Sequence, residues 1–276
     1  MRRIIASLDI GSNSIKLVVG EIVKNRLNIL AALDTPSRGI KKGFIVNAES
    51  AIEALNEIFN KAEDMLGLKI KKVITSVPAN YAECFLSEGS TTITSENKVV
   101  GPNDIVRAMQ ASVYNKIPEN MELVTIIPTI FKINDTDVVK NPKNMIADKL
   151  TVKSVIVSVP KKNVIPIVKC LERIGVEVVD IALGSLGDYA QFKTKDTSKD
   201  VGAVVNIGDS TTTVSIFNRG VLTNSEVIDL GGQNIENDIA FIYKLPKSEA
   251  KYLKENLSLA HKRLAVPSEW TIVTDK

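Results

Sequence analysis

The chain has 276 residues, 44% of them hydrophobic and 24% charged, with a net charge of +3. That composition fits a globular protein long enough for more than one domain, and its small positive excess and 5% aromatic content argue against nucleic-acid binding. No apolar run reaches the about 20 residues that cross a bilayer, and Asp9 interrupts the N-terminal apolar run where a signal peptide would continue it. Cys84 and Cys170 are isolated, which fits neither a zinc site nor a disulfide framework, and the single histidine, His261, leaves no Ser-His or Cys-His triad. The expected compartment is the cytoplasm.

Ile4–Asp9, Ile15–Val23 and Leu27–Leu33 read as a three-strand meander. The first two strands join at Gly11-Ser12-Asn13-Ser14. A glycine there tolerates positive φ and close backbone approach, and successive turn amides can form an anion-binding concavity. Lys16 on the outgoing strand can reach back toward such an anion. Thr35–Gly39 ends the meander. A helix follows from an Asn47 cap to about Leu66, with Ile52, Leu55, Ile58, Phe59, Ala62 and Met65 at helical spacing and Gly67 suited to the C′ position. Lys71–Val77 is the next strand, closed by Pro78.

Residues 82–158 read as a separate α/β block. It has a strand at Thr91–Thr94, a helix capped by Asn103, a strand Val124–Ile133 interrupted by Pro128, and a strand Lys149–Val159. The turn Asn134–Asp137 lacks the Gly and distal Glu of a calcium loop. Helix Val164–Ile174 and strand Val176–Ala182 bring the chain back, and the polar linker Asp196–Asp200 follows.

The stretch from Ala203 to Phe217 then repeats the opening pattern: apolar strand, Asn206, Ile207-Gly208, the polar residues Asp209 to Thr212, apolar strand. Each copy turns into a third strand, at Lys24-Asn25-Arg26 and at Asn218-Arg219-Gly220. Two such hairpins facing one another would clamp a phosphate chain from both sides. Gly231-Gly232 leads into a helix from about Ile235 to Tyr243. Ser248–Leu259 is a further helix, basic on one side and read as a solvated face. The last 44 residues hold no glycine, so a later Gly-rich adenosine turn is missing, and Trp270–Thr274 is strand-like with nothing left to pair it. The chain is therefore expected to cover about the first two thirds of a longer protein.

The paired hairpins resemble the actin-like superfamily. Further segments resemble the bacterial cell-division FtsA family, particularly its Gram-positive branch: Gly39–Val46, Ser95–Lys98, Asn141–Met145, Cys170–Val176 and Leu230–Ala240. The resemblance implies an α/β, actin-like fold of duplicated ribonuclease H-like domains with a small α/β insert and an incomplete second domain. The implied subdomains are IA at 1–81 with 159–200, the insert IC at 82–158, the start of IIA at 201–232 and the start of IIB at 233–276. It further implies ATP and Mg²⁺ in the interdomain cleft, self-association into filaments, binding of the tubulin-like FtsZ and other division proteins, and no nucleic-acid partner. The family's site of action is the inner face of the cell membrane at the division site. Its membrane tether is a C-terminal amphipathic helix absent from this chain.

By the same resemblance, Asp9, Gly11, Ser12, Asn13, Ser14 and Lys16 form the first phosphate motif, with Asp9 holding the Mg²⁺ water shell. Asn206, Gly208, Asp209, Ser210, Thr211 and Thr212 form the second. Gly231 and Gly232 approach the nucleotide, and Lys254 and Glu255 lie near the ribose. Asn206 replaces the usual Asp, Gly184 stands where hydrolytic relatives place a polar residue, and Asp209 adds charge beside the phosphates. Slow or absent hydrolysis is the expectation. Competing readings are a phosphotransfer enzyme (an exopolyphosphatase or sugar-kinase relative) and a pilus-assembly scaffold of the same fold.

Overall fold

The computed structural model describes residues 3–256. His261, the expected strand Trp270–Thr274 and the last turn of the helix expected over Ser248–Leu259 lie outside the described residues.

Strands β1 (Arg3–Ile10), β2 (Ser14–Val23) and β3 (Arg26–Pro36) form the expected meander. The short strands β4 (Ile40–Lys41) and β5 (Phe44–Ile45) pair with each other. Helix α1 (Ala48–Leu66) then leads to β6 (Lys72–Val77). Asn47 caps α1 by accepting the Ser50 amide, and Gly67 closes it at φ 65° with its N–H on the Glu63 carbonyl. The buried face of α1 is Ala51, Ala54, Leu55, Ile58, Phe59 and Ala62; Met65, expected on it, is 64% exposed, and its neighbour Leu66 packs against the core instead.

The next block holds β7 (Glu83–Thr92), α2 (Pro102–Val113), β8 (Met121–Ile133), β9 (Asp137–Val139) and β10 (Lys149–Pro160), with sheet order β7-β10-β8-β9. Strand β7 begins eight residues before the expected Thr91. Helix α2 starts at Pro102, earlier than an Asn103 cap would allow, because the Asp104 carboxylate accepts the Gly101 amide. Pro128 pairs with Ser154 beside a register shift between Lys153 and Ser154, an irregularity of the kind at which a strand tolerates a residue without an amide hydrogen.

Helix α3 (Lys161–Arg173) and β11 (Glu177–Leu183) return to the first sheet, whose order is β11-β6-β1-β2-β3 with β6 and β11 parallel to β1. Helix α4 (Gly184–Phe192) follows directly. Strands β12 (Val201–Ile207), β13 (Thr212–Asn218) and β14 (Val221–Ile228) make a second antiparallel sheet, succeeded by α5 (Gly232–Tyr243) and α6 (Lys247–Asn256).

The two meanders share their turn chemistry. Lys24-Asn25 and Arg219-Gly220 are two-residue turns with both residues at positive φ, the geometry that matches the right-handed twist of a hairpin. Helices α1 and α3 cover one face of the first sheet, and the second sheet packs through Phe217 and Leu222 into the same core. Tyr189 of α4 stacks on Phe217 with ring centroids 4.0 Å apart, joining the two halves.

Candidate functional site: a cleft between two matching hairpin tips

The tips of the β1–β2 and β12–β13 hairpins lie on opposite walls of one cleft of about 500 Å³. Each tip closes on itself in the same way. The Gly11 amide donates to the Ser14 carbonyl at 3.1 Å, and the Gly208 amide donates to the Thr211 carbonyl at 2.8 Å. A Cβ on either glycine would stand 2.9 or 3.0 Å from that carbonyl oxygen. Close approach, and not the positive φ expected of Gly11, is thus what the positions require, since neither glycine has positive φ. Both amides are engaged within the turn, which leaves the neighbouring hydroxyls and amides to face a ligand.

Most of the sequence-derived residues meet here. Asp9, Gly11, Ser12, Asn13, Ser14 and Lys16 line one wall, and Asn206, Gly208, Asp209, Ser210 and Thr211 line the other. Gly232, Lys254 and Glu255 complete the mouth. Lys16 sits directly across the strand pair from Asp9. The Ser76 hydroxyl donates to Asp9 Oδ1 at 2.7 Å and fixes that carboxylate at the end of β6.

Thr212 and Gly231 stand outside the lining. Thr212 Oγ1 donates to the Leu230 carbonyl at 2.7 Å. A Cβ on Gly231 would come within 2.5 Å of the Asp209 carbonyl oxygen. The double glycine therefore lets α5 sit on the second tip: the Gly232 and Gln233 amides donate to the Gly208 and Asp209 carbonyls at 2.9 and 2.7 Å.

Several lining groups went unrecognised in the sequence. Lys251 lines the cleft and its Nζ stands 3.4 Å from Asn13 Oδ1, so α6 reaches across to the first tip. Its position one turn before Lys254 and Glu255 is the signal that would have placed it on the same helical face. Glu236 is buried and ion-paired with Lys254. Ser185 lines the floor from α4. Asn206 Nδ2 donates to Asp188 Oδ2 at 2.9 Å. An Asp at 206 would set two carboxylates at that separation, which gives the departure from the expected Asp a structural reason.

Three lysines and four carboxylates line the cleft, so its charged side chains have no positive excess with which to balance a polyanion. A phosphate chain there needs a cation as companion. Among the described residues no three or more His, Cys, Asp and Glu side chains gather as a metal cage. Asp9 can act on a hard divalent cation only in concert with water and ligand oxygens, as suits Mg²⁺. The Ser185 and Ser210 hydroxyls are buried in the cleft lining without a hydrogen-bond partner, which fits an oxygen-rich ligand. The cysteines take no part: burial pushes the Cys84 thiol up to about 11 and Cys170 upward as well.

The family model for the SHS2 domain inserted in FtsA matches residues 71–158, and that for cell division protein FtsA matches residues 203–275. Cell division protein FtsA of Bacillus subtilis is 34% identical over 256 residues, 92% of this chain and 58% of that protein. The chain belongs to the FtsA family. FtsA of Pseudomonas aeruginosa is 30% identical over 97% of the chain and 64% of its own length. The chain thus spans about three fifths of these FtsA relatives. The PilM protein of a PilM–PilN type IV pilus biogenesis complex superposes with a TM-score of 0.60 at 16% identity, over 91% of this chain and 69% of that one. The ethanolamine utilization protein EutJ from Carboxydothermus hydrogenoformans gives 0.54 at 16%, over 92% and 62%. Those likenesses are of fold, and the fold is actin-like. No helix among the described residues is long and apolar enough to cross a membrane.

Proposed function

We propose that this chain is the nucleotide-binding part of an FtsA-type division protein, taking ATP with Mg²⁺ between the two hairpin tips. The observation that carries the reading is the placement of two tips, closed by the same Gly-amide bond, on facing walls of one cleft. In this reading the hydroxyls of Ser12, Ser14, Ser210 and Thr211, with the amides around both turns, donate to phosphate oxygens, and Lys16 offsets their charge. Asp9, held by Ser76, accepts from water bound to the cation. Bound Mg²⁺ would neutralise phosphate charge that the three lysines cannot balance. Gly232, Lys254 and Glu255 sit where the sugar end would emerge.

Hydrolysis is slow in this proposal. Asn206 has no proton-accepting carboxylate, and Asp188 already engages its amide nitrogen. Nucleotide binding then serves assembly. The full-length protein forms filaments on the inner face of the cell membrane at the division site, and there it links FtsZ and other division proteins to the membrane. Family membership supports this part, and the actin-like fold suits nucleotide-dependent self-association.

Titration with a fluorescent ATP analogue, with and without Mg²⁺, tests the site. Saturable binding strengthened by Mg²⁺ is expected, together with ATP turnover well below about 1 per second. No binding in either condition, or turnover at or above that rate, would overturn the proposal. Co-sedimentation of the full-length protein with FtsZ and lipid vesicles tests the assembly role.

A further inference from the structure

Different parts of the chain brace the two tips, and one ion pair joins the braces. The first tip is held by the segment that follows β3. The Ser37 amide donates to the Asn13 carbonyl at 3.0 Å, the Ser37 hydroxyl to the Gly11 carbonyl at 2.6 Å, and the Gly43 amide to Ser12 Oγ at 3.0 Å. That segment is itself anchored. Ile40 and Ile45 pack against the main core, and the Val46 and Asn47 amides donate to the Gly39 carbonyl at 2.8 and 3.1 Å, beside the cap of α1. Its turn, Lys42-Gly43, has both residues at positive φ and closes β4 on β5 as a tight hairpin. Gly43 lines the cleft, whereas Lys42 stands outside the lining. The second tip is held by the start of α5, through the Gly232 and Gln233 amides. Asp229 comes just before that element, and Lys42 Nζ donates to Asp229 Oδ2 at 2.9 Å.

The two side chains are 39% and 61% exposed, and an ion pair so exposed adds little to the stability of a fold. Its place is more telling than its strength, because it ties the brace of one wall to the brace of the other. We propose that the Lys42–Asp229 pair is a strap that fixes the spacing of the two tips and so slows the escape of a nucleotide held between them. The inference rests on the nucleotide reading above. Lys42 is a positioning residue: it acts through Gly43 and Ser12 on one wall, and through Asp229 and the start of α5 on the other. The Gly43 amide takes an acceptor position on Ser12 Oγ, which leaves the hydroxyl proton to donate into the cleft. Walls already held at the right spacing lose less freedom when a ligand enters, and the gain is read mainly in its release rate.

The test measures the release of a fluorescent ADP analogue with Mg²⁺, at about 0.02 M and about 0.5 M salt. The proteins are the wild type, Lys42→Asn, Asp229→Asn, the double variant, and the charge exchange Lys42→Asp with Asp229→Lys. Asn and Asp suit position 42 because both tolerate its φ of 52°. At low salt each single change should speed release about threefold, the scale of one exposed ion pair. The double change should go no further, and the charge exchange should restore slow release. At high salt the ratio of variant to wild-type rates should fall to about one. A non-hydrolysable ATP analogue should give the same ratios, since the strap lies outside the lining. Without ligand, the variants should melt within about 3 °C of the wild type. Equal release rates for all five proteins, a ratio that salt does not change, or a charge exchange that fails to restore slow release would overturn the strap while leaving the nucleotide reading intact. A wild type that binds neither nucleotide would remove both.

Discussion

The two hairpins share a tip and differ in almost everything behind it. In the first, Leu8 and Ile10 are 1% and 6% exposed within the main core; their counterparts in the second, Val205 and Ile207, are 55% and 71% exposed. In the second the opposite face is buried instead, through Ser215, Phe217, Leu222 and Ser225. The first sheet has two parallel strands and covering helices beyond β1, whereas among the described residues nothing pairs with the free edge of β12. Tip geometry is therefore a local property, written in one glycine and a carbonyl three residues later. Which face becomes core is decided by what packs on it.

The largest consequence concerns stability. Leu8→Ala should cost about 2–5 kcal/mol in denaturant unfolding, as for other fully buried leucines. Val205→Ala, at the matching position, should change stability by about 0.5 kcal/mol or less. Similar costs at both positions would mean that the second sheet has a cover which the described residues do not supply.

A smaller effect separates Asp9 from its counterpart Asn206. Asn206→Asp should destabilise the protein at neutral pH by about 1 kcal/mol or less, because it faces Asp188 across a bond now 2.9 Å long. The loss should be recovered on acidification, which protonates one of the pair, and by the double change with Asp188→Asn. Unfolding curves at pH 7 and pH 4 would show whether the recovery occurs.

The smallest effect is specific to the first copy. Glu57 of α1 accepts from Lys61, from the buried Thr35 of β3 and from Arg38, and these bonds, Lys61 first, hold its carboxyl at about 2 instead of 4.5. A depressed pKa gives stability that is complete above the ordinary value and lost as pH falls through the shifted one. The stability difference between wild type and Glu57→Gln should therefore be constant above about pH 5 and shrink between about pH 4.5 and 2. A difference independent of pH would mean that the carboxylate charge is not what Thr35, Arg38 and Lys61 recognise.

The same local-versus-contextual division explains what could be read in the chain. Helix α1 was legible because Asn47, the spaced apolar residues and Gly67 each carry their own signal, and both hairpins were legible because Gly and short polar residues separate apolar runs. Helix α4 was missed: Gly184, Ser185 and Gly187 are poor helix formers, and the turn is held by Tyr189 on Phe217 and Asp188 on Asn206. The first part of β7 was missed because Ser87 and Gly89 are small so that α2 can sit close; a Cβ on Gly89 would fall 2.2 Å from the Ser112 amide. Within the site, the glycines and serines of the two tips and Asp9 announced themselves, while Ser185 and Lys251 did not; Lys251 looked like any lysine on a charged helix until its distance to Asn13 was known.

The ring closed from amide to carbonyl at each tip has a bearing on how such a cleft can change over time. Because Gly11 and Gly208 set the bend with main-chain atoms, the side chains of Asn13, Asp209 and Ser210 take no part in that ring, whereas the Ser12 hydroxyl also accepts the Gly43 amide at 3.0 Å. Substitutions at positions 13, 209 and 210 can alter charge, reach or hydrogen-bonding character while the ring that sets the bend is kept. Selection is thereby free to tune ligand preference or turnover without first rebuilding the scaffold.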